Sequence, residues 1–213
     1  MMWSEKYRPT KLAECVLSHL QPSEATFLDV SVESGMLPNL LFFGSPGTGK
    51  TTIATILCDD EKYSVRQFNG SLLGKEDVAK IGRMLTTRSL FHENRCIWID
   101  EVDGMTHDGQ RALRAMIEEN VTYISWIFTA NMRSSIIEPL QSRMICIDCS
   151  VSELSKRRLH IDGIVKRCES VLQSERVTNY PIDDIRKLVE LHYPDIRQTL
   201  NQLQVRYARS LAA

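Results

Sequence analysis

What this sequence lacks narrows the field first. No apolar run approaches the length of a membrane-spanning helix, and residues 1–11 mix charges without a hydrophobic stretch, so neither a membrane partner nor a secretory leader is expected and the protein reads as cytoplasmic. An excess of one charge is also missing: 26 Lys and Arg face 27 Asp and Glu, for a net charge of −1, which makes no case for a polyanionic partner of the whole chain. Residues 151–213 hold 11 basic against 8 acidic side chains, leaving 15 against 19 before them, so any contact with nucleic acid has to run through a local basic stripe. Six cysteines lack the paired spacings of a disulfide framework or a zinc site. Cys146 and Cys149 form the one C-x-x-C, inside an apolar run with no second ligand pair, and read as a reduced structural pair. What remains, 213 residues at 43% hydrophobic and 25% charged, suits one large domain or an ordinary one with a small companion.

The most informative stretch is residues 44–51, Gly-Ser-Pro-Gly-Thr-Gly-Lys-Thr, which follows the apolar run Leu40, Leu41, Phe42, Phe43 and leads into a helical segment. Strand, glycine-rich loop and helix are the context that the phosphate-binding pattern G-x-x-x-x-G-K-[ST] needs. Gly44, Gly47 and Gly49 allow close backbone approach, so that successive N–H groups, with Pro46, Thr48 and Thr52 alongside, can surround a polyphosphate at the helix start. Lys50 is placed to reach the β- and γ-phosphates and the Thr51 hydroxyl to ligate Mg²⁺.

Elsewhere, apolar runs and helical periods alternate. Residues 23–34 read as a helix ended by Gly35, 63–68 as a strand leaving through Asn69-Gly70-Ser71, 75–90 as a helix, 96–99 as a buried strand followed by Asp100-Glu101, and 106–120 as a helix with Ala112, Leu113, Met116 and Ile117 on its apolar stripe. Gln110 and Arg114 fall on another face of that last helix. A strand over 123–129 is capped by Ala130-Asn131, a short helix over 134–138 is stopped by Pro139, and a last strand covers 144–147. The alternation predicts an α/β fold with a parallel, doubly wound sheet. After Ser150, which with Glu153 makes a capping-box pair, only helical periods follow, over 154–172, 182–192 and 195–207. A boundary near residue 150 between a core (1–150) and a small three-helix domain (151–213) is expected. The start, Trp3 to Pro9, has no period and reads as an arm.

Asp100-Glu101 at the end of a hydrophobic strand has the Walker-B arrangement, in which Asp100 helps to hold Mg²⁺ and Glu101 orients the water that attacks the γ-phosphate. An acidic pair beside a phosphate loop is a hydrolase signal. Asn131, at the next strand end, is a candidate for hydrogen bonding to the γ-phosphate or the water, and Arg143 and Arg197 for stabilising transferring charge. Lys80, Arg83, Arg88 and Arg111 read either as phosphate contacts or as solvated surface.

Phosphate loop, Asp-Glu box, strand-end asparagine and helical lid, in this order, resemble the AAA+ ATPases. Within them, Glu5-Lys6-Tyr7-Arg8-Pro9, Gln141-Ser142-Arg143 and Pro194-Asp195-Ile196-Arg197 resemble the ATPase subunits of sliding-clamp loaders, of the T4-type bacteriophage and replication factor C kind. The resemblance implies ATP and Mg²⁺ as ligands and places Tyr7, Arg8 and Pro9 beside the adenine, with Asn131 and Arg197 as the first and second sensors. By the same resemblance Arg143 acts in trans on a neighbouring subunit's ATP, Asn69 restrains Glu101 until DNA is bound, and Gln110 with Arg114 links neighbouring sites. Neighbouring AAA+ subunits, a sliding clamp and the backbone of primer-template DNA are the implied partners, with Lys80, Arg83, Arg88 and Arg111 as contacts. Two departures stand out: Met144 follows Ser142-Arg143 where the family usually has cysteine, and the sequence stops at Ala213, where the family continues into a third, collar domain. Alternatives are a DNA-remodelling AAA+ motor such as a branch-migration helicase, which normally adds a DNA-binding domain after the lid, or a structural subunit that binds nucleotide without hydrolysing it.

Overall fold

A computed structural model describes residues 1–58, 63–85, 95–119, 124–151 and 154–207. Arg88, the end of the helix expected over 75–90, Tyr123 and Glu153 lie outside these residues.

Short apolar runs that bury both faces form strands of a covered parallel sheet. Leu40, Leu41 and Phe42 of β1 (Leu40–Phe43) have no exposed surface, which puts this strand inside the sheet. Beside it lie β4 (Ile124–Ala130) and β5 (Ile145–Asp148), and beyond β4 come β3 (Arg95–Asp100) and β2 (Ser64–Asn69). The order is β2-β3-β4-β1-β5 with every pairing parallel. The more polar runs, Ser64-Val65-Arg66-Gln67 above all, take the edges, where one side of the strand meets water.

Alternation within each strand sends neighbouring side chains to opposite layers. Leu41, Ile97, Ile99, Trp126 and Phe128 pack under α4 (Lys75–Leu85) and α5 (His107–Glu119). Leu40, Phe42, Trp98 and Ile127 pack under α2 (Pro22–Ser34) and α3 (Lys50–Leu57). Helix α2 ends at Gly35 (φ 66°), as its sequence predicts, and begins with a capping box between Gln21 and Glu24.

After the sheet come α7 (Leu154–Ser174), α8 (Ile182–His192) and α9 (Ile196–Tyr207), joined by a cluster that includes Ile164, Leu172, Val189 and Leu203. The N-terminal arm, read as lacking any period, is corrected here. It forms a one-turn helix, α1 (Trp3–Lys6), too short to show periodicity, whose Trp3 is 2% exposed inside that same cluster. The Trp3 N–H donates to Gln204 Oε1 at 2.9 Å and the Tyr7 hydroxyl to Glu175 Oε1 at 2.8 Å, fastening the arm to the helical region.

A second correction concerns Pro139. Instead of stopping a helix over 134–138, it sits in the first turn of α6 (Glu138–Gln141), where its missing N–H has no partner to lose, and a 3₁₀ turn at Arg133–Ser135 precedes it. The His19 and His160 rings meet at 4.5 Å between centroids, tilted by 52°, and His160 Nδ1 lies 3.2 Å from the Tyr193 hydroxyl, joining the segment before α2 to the helical region. All six cysteines are free thiols. Among the described residues no helix is long and apolar enough to cross a membrane.

Candidate active site

The sheet order brings the C-terminal ends of β1, β4 and β3 side by side, and the polar groups at those ends meet. The loop leaving β1 carries φ values of 136°, 76° and 95° at Gly44, Gly47 and Gly49, which glycine adopts without steric cost. Lys50 opens α3, is 7% exposed, and donates to the carbonyls of Gly44 (2.6 Å) and Ser45 (2.8 Å). Its ammonium also lies 3.4 Å from Asn131 Oδ1, joining the phosphate loop to the end of β4. Burial holds Lys50 below the ordinary lysine pKa, with Cys149, Asp103 and Asp100 pulling the other way.

Asp100 closes β3. Its Oδ1 accepts from the Thr51 hydroxyl at 3.2 Å and from the Thr129 hydroxyl. Glu101 has turned out of the sheet, at φ 55°, and its N–H donates to Thr129 Oγ1 at 3.1 Å. Its exposed carboxylate lies on the 3₁₀ turn after β2, 3.3 Å from Ser71 Oγ and 3.5 Å from Asn69 Nδ2, a weak contact at best for the amide. Asp103 accepts from the backbone N–H groups of Asn131 (2.9 Å) and Met132 (3.4 Å), fixing where Asn131 leaves the sheet.

Next to the loop a cleft of about 850 Å³, its open mouth included, is lined by Tyr7, Arg8 and Pro9 of the arm, by residues 15–17 and 47–53, and by Arg167, Ile196 and Arg197. The Ile196 N–H donates to the Gly47 carbonyl at 3.1 Å, so the first turn of α9 rests directly on the phosphate loop. Asp195 lies so close to Gly47 that a Cβ there would meet its carboxylate at 2.2 Å. Glycine at 47 is therefore required twice, for its φ and for this contact. Arg167 donates to the Tyr7 carbonyl at 2.5 Å and closes the arm side.

Arg143 stands apart from this cleft. Its guanidinium donates to the Pro139 carbonyl (2.6 Å) and to Ser142 Oγ (3.1 Å), and it forms an ion pair with Glu118 at the end of α5. Glu118 also receives Arg114 at 3.1 Å. Lys80 pairs with Asp77 at 2.7 Å and Arg111 with Asp108 at 3.1 Å, all on exposed surface, and Arg83 lies on α4 with Lys80. The face assigned to Gln110 by its spacing is corrected: its side chain is fully buried. Its Nε2 donates to the carbonyls of Met105 (3.3 Å) and Ser135 (2.9 Å), and its Oε1 accepts from the Ile137 N–H (2.8 Å). The loop from β4 to α6 offers main-chain groups with no ladder partner, and this amide supplies one.

Thr129, Ser71, Asp103 and Arg167 escaped sequence reasoning. A signal existed for two of them: Thr129 is a hydroxyl inside an otherwise apolar strand, and Asp103 is a second acid on the turn that begins at Asp100.

These strand ends define a P-loop nucleotide site. A profile of the ATPase family associated with various cellular activities (AAA) matches residues 40–148, and the chain belongs to that family. It is 31% identical over 214 residues to replication factor C small subunit 2 of Pyrobaculum islandicum, covering 96% of this chain and 63% of that protein. It is 33% identical over 204 residues to the sliding-clamp-loader large subunit of Escherichia phage RB69, covering 93% of this chain and 62% of that one. A replication factor C small subunit of Methanothermobacter thermautotrophicus is 33% identical over 210 residues, covering 95% and 62%. The chain thus spans a little over three fifths of the length of these curated relatives. A RuvB variant of Thermotoga maritima superposes with a TM-score of 0.71 over 97% of this chain and 66% of its own, at 18% identity, and confirms the fold.

Proposed function

We propose that this chain is an Mg²⁺-dependent ATPase subunit of a sliding-clamp loader, working in the cytoplasm, with residues 1–150 as nucleotide core and 151–213 as lid. The observation that carries the reading is the meeting of Lys50, Thr51, Asp100 and Asn131 at adjacent strand ends, beside a cleft that the arm and α9 complete. Relatives over nearly the whole chain bear clamp-loader and replication-factor names, which supports the choice among AAA activities.

ATP lies with its adenine against Tyr7, Arg8 and Pro9 and its phosphates in the loop. Lys50 exchanges its bonds to the loop carbonyls for phosphate oxygens, and Asn131 and Arg197 read the γ-phosphate from the sheet and from α9. The donor chemistry fits a magnesium ion, since the hard oxygens of Thr51 and Asp100 sit 3.2 Å apart. When bound, the ion neutralises charge on the β- and γ-phosphates. Glu101 orients the attacking water and takes its proton, and its approach to Ser71 and Asn69 supports a restrained state that DNA releases. Arg143 serves a neighbouring subunit's ATP, and Gln110 and Arg114 couple that neighbour's site to this one. Lys80, Arg83 and Arg111 contact DNA phosphates, so binding is sequence-independent and salt-sensitive.

The test is ATP hydrolysis with and without primer-template DNA and a sliding clamp. Stimulation by both is expected. A rate that neither changes would count against clamp loading while leaving the AAA assignment intact.

A further inference from the structure

Thr129 is 2% exposed in the middle of the sheet, between the buried side chains of Phe128 and Ala130. A buried hydroxyl has to find partners, and this one has two that matter for chemistry. It donates to Asp100 Oδ1 and accepts the Glu101 N–H at 3.1 Å. The ladder between β3 and β4 ends at Ile99 and Phe128. Asp100 still pairs with Asn69 of β2, but at Glu101, two residues past Ile99, the chain leaves the sheet, and the Thr129 side chain takes its amide. Glu101 sits there at φ 55°, a region that a non-glycine residue keeps only when its surroundings hold it.

One hydroxyl therefore sets two things at once. It fixes the rotation of the Asp100 carboxylate, whose other oxygen accepts no hydrogen bond among the described residues, and it fixes the backbone turn that launches the Glu101 side chain. We propose that Thr129 is a positioning residue for ATP hydrolysis, holding the metal-side and water-side carboxylates of the Asp100-Glu101 pair in register through its single hydroxyl. The proposal rests on the reading of this cleft as an ATPase site.

Thr129→Val keeps the shape and removes the hydroxyl, while Thr129→Ser keeps the hydroxyl. The full chain carrying each substitution is compared with the parent in turnover at saturating ATP with primer-template DNA present. The affinity for a fluorescent ATP analogue is measured as a function of Mg²⁺, and the thermal midpoint is recorded. Losing a hydrogen bond to a charged group lowers turnover of the valine variant by about tenfold or more, raises the Mg²⁺ needed for half-maximal binding by a similar factor, and leaves affinity in EDTA within about twofold. The serine variant stays within about threefold of the parent in both readouts, because the donor and acceptor are still there. A role confined to sheet stability would lower the thermal midpoint without moving the Mg²⁺ dependence.

Should the valine chain fail to fold, Thr129→Cys, whose thiol is a poor donor and acceptor, replaces it with the same expectations. Parental turnover and Mg²⁺ dependence in the hydroxyl-free variant, or a serine variant as impaired as valine, would overturn the proposal. A parent that binds no ATP at all would overturn the ATPase reading itself. A parent that binds ATP but turns over too slowly to measure leaves the Mg²⁺ titration to decide.

Discussion

The two regions that meet at the strand ends are built on opposite terms. In the inner cradle the polar groups are buried and multiply held: Lys50 is 7% exposed with two carbonyl partners, Thr129 2% with two partners, and Gln110 fully buried with three. On the exposed rim and the surface beyond it, Glu101 is held by contacts of 3.3 and 3.5 Å, Arg143, apart from the cleft, leans on the exposed Glu118, and Lys80 and Arg111 form surface pairs with their own helix neighbours. Exposed pairs contribute about 0–1 kcal/mol each, whereas leaving a buried polar group without its partner costs about 1–3 kcal/mol. The cradle is therefore set before a ligand arrives, and the rim can change partners when a ligand or a neighbour offers better ones.

The sharpest ways to break this contrast lie on the rim. Glu101→Gln and Arg143→Ala should each lower the turnover of an assembly by about 10³-fold while leaving ATP affinity within about twofold. If Arg143 serves a neighbour's ATP as proposed, mixing the two variants should recover activity above either alone, because one kind of interface then has both parts intact. No recovery would place Arg143 outside its neighbour's site. A cradle substitution should do the reverse, with Lys50→Ala weakening ATP binding by about 10²-fold in a direct titration through loss of charge-assisted contacts. Unchanged affinity would remove Lys50 from the phosphate site.

Burial also makes a pH signature. His19 and His160 are pushed down by burial to about 4 and about 3, against about 6.5 in an unfolded chain. Between about pH 6.5 and about pH 4 the unfolded chain takes up protons that the fold refuses, so stability in denaturant melts should fall with falling pH by up to about 1.4 kcal/mol per unit for each ring. His160→Phe should flatten that slope. The smallest effect belongs to the exposed surface again: Lys80→Ala should leave the thermal midpoint unchanged, and a clear drop would show that Asp77 holds more than a surface pair.

Much of the fold was legible because its signals are local. The strand at 40–43, the glycine loop and the helix it starts are contiguous, and the change from alternating elements to helices alone after Ser150 needed only periodicity. The arm was opaque. Four residues carry no period, and Trp3 forms its helix against Gln204, 201 positions away. Gln110 misled for a related reason: its spacing set it on another face than the apolar stripe, but the main-chain groups it satisfies belong to residues 105, 135 and 137. Motifs pointed to Lys50, Asp100 and Glu101 and said nothing of the hydroxyl that bonds to both acidic residues.

By itself the sequence determined a phosphate loop, an acidic pair after a buried strand, an α/β alternation and a helical tail, because each follows from neighbours within a turn or a strand. Only the tertiary structure decided that β1 lies between β4 and β5, and so which strand ends face the loop. That order sets Asn131 against Lys50 and Thr129 against Asp100, across 81 and 29 positions of chain. Contacts at such separations depend on how whole layers pack, which no local pattern encodes.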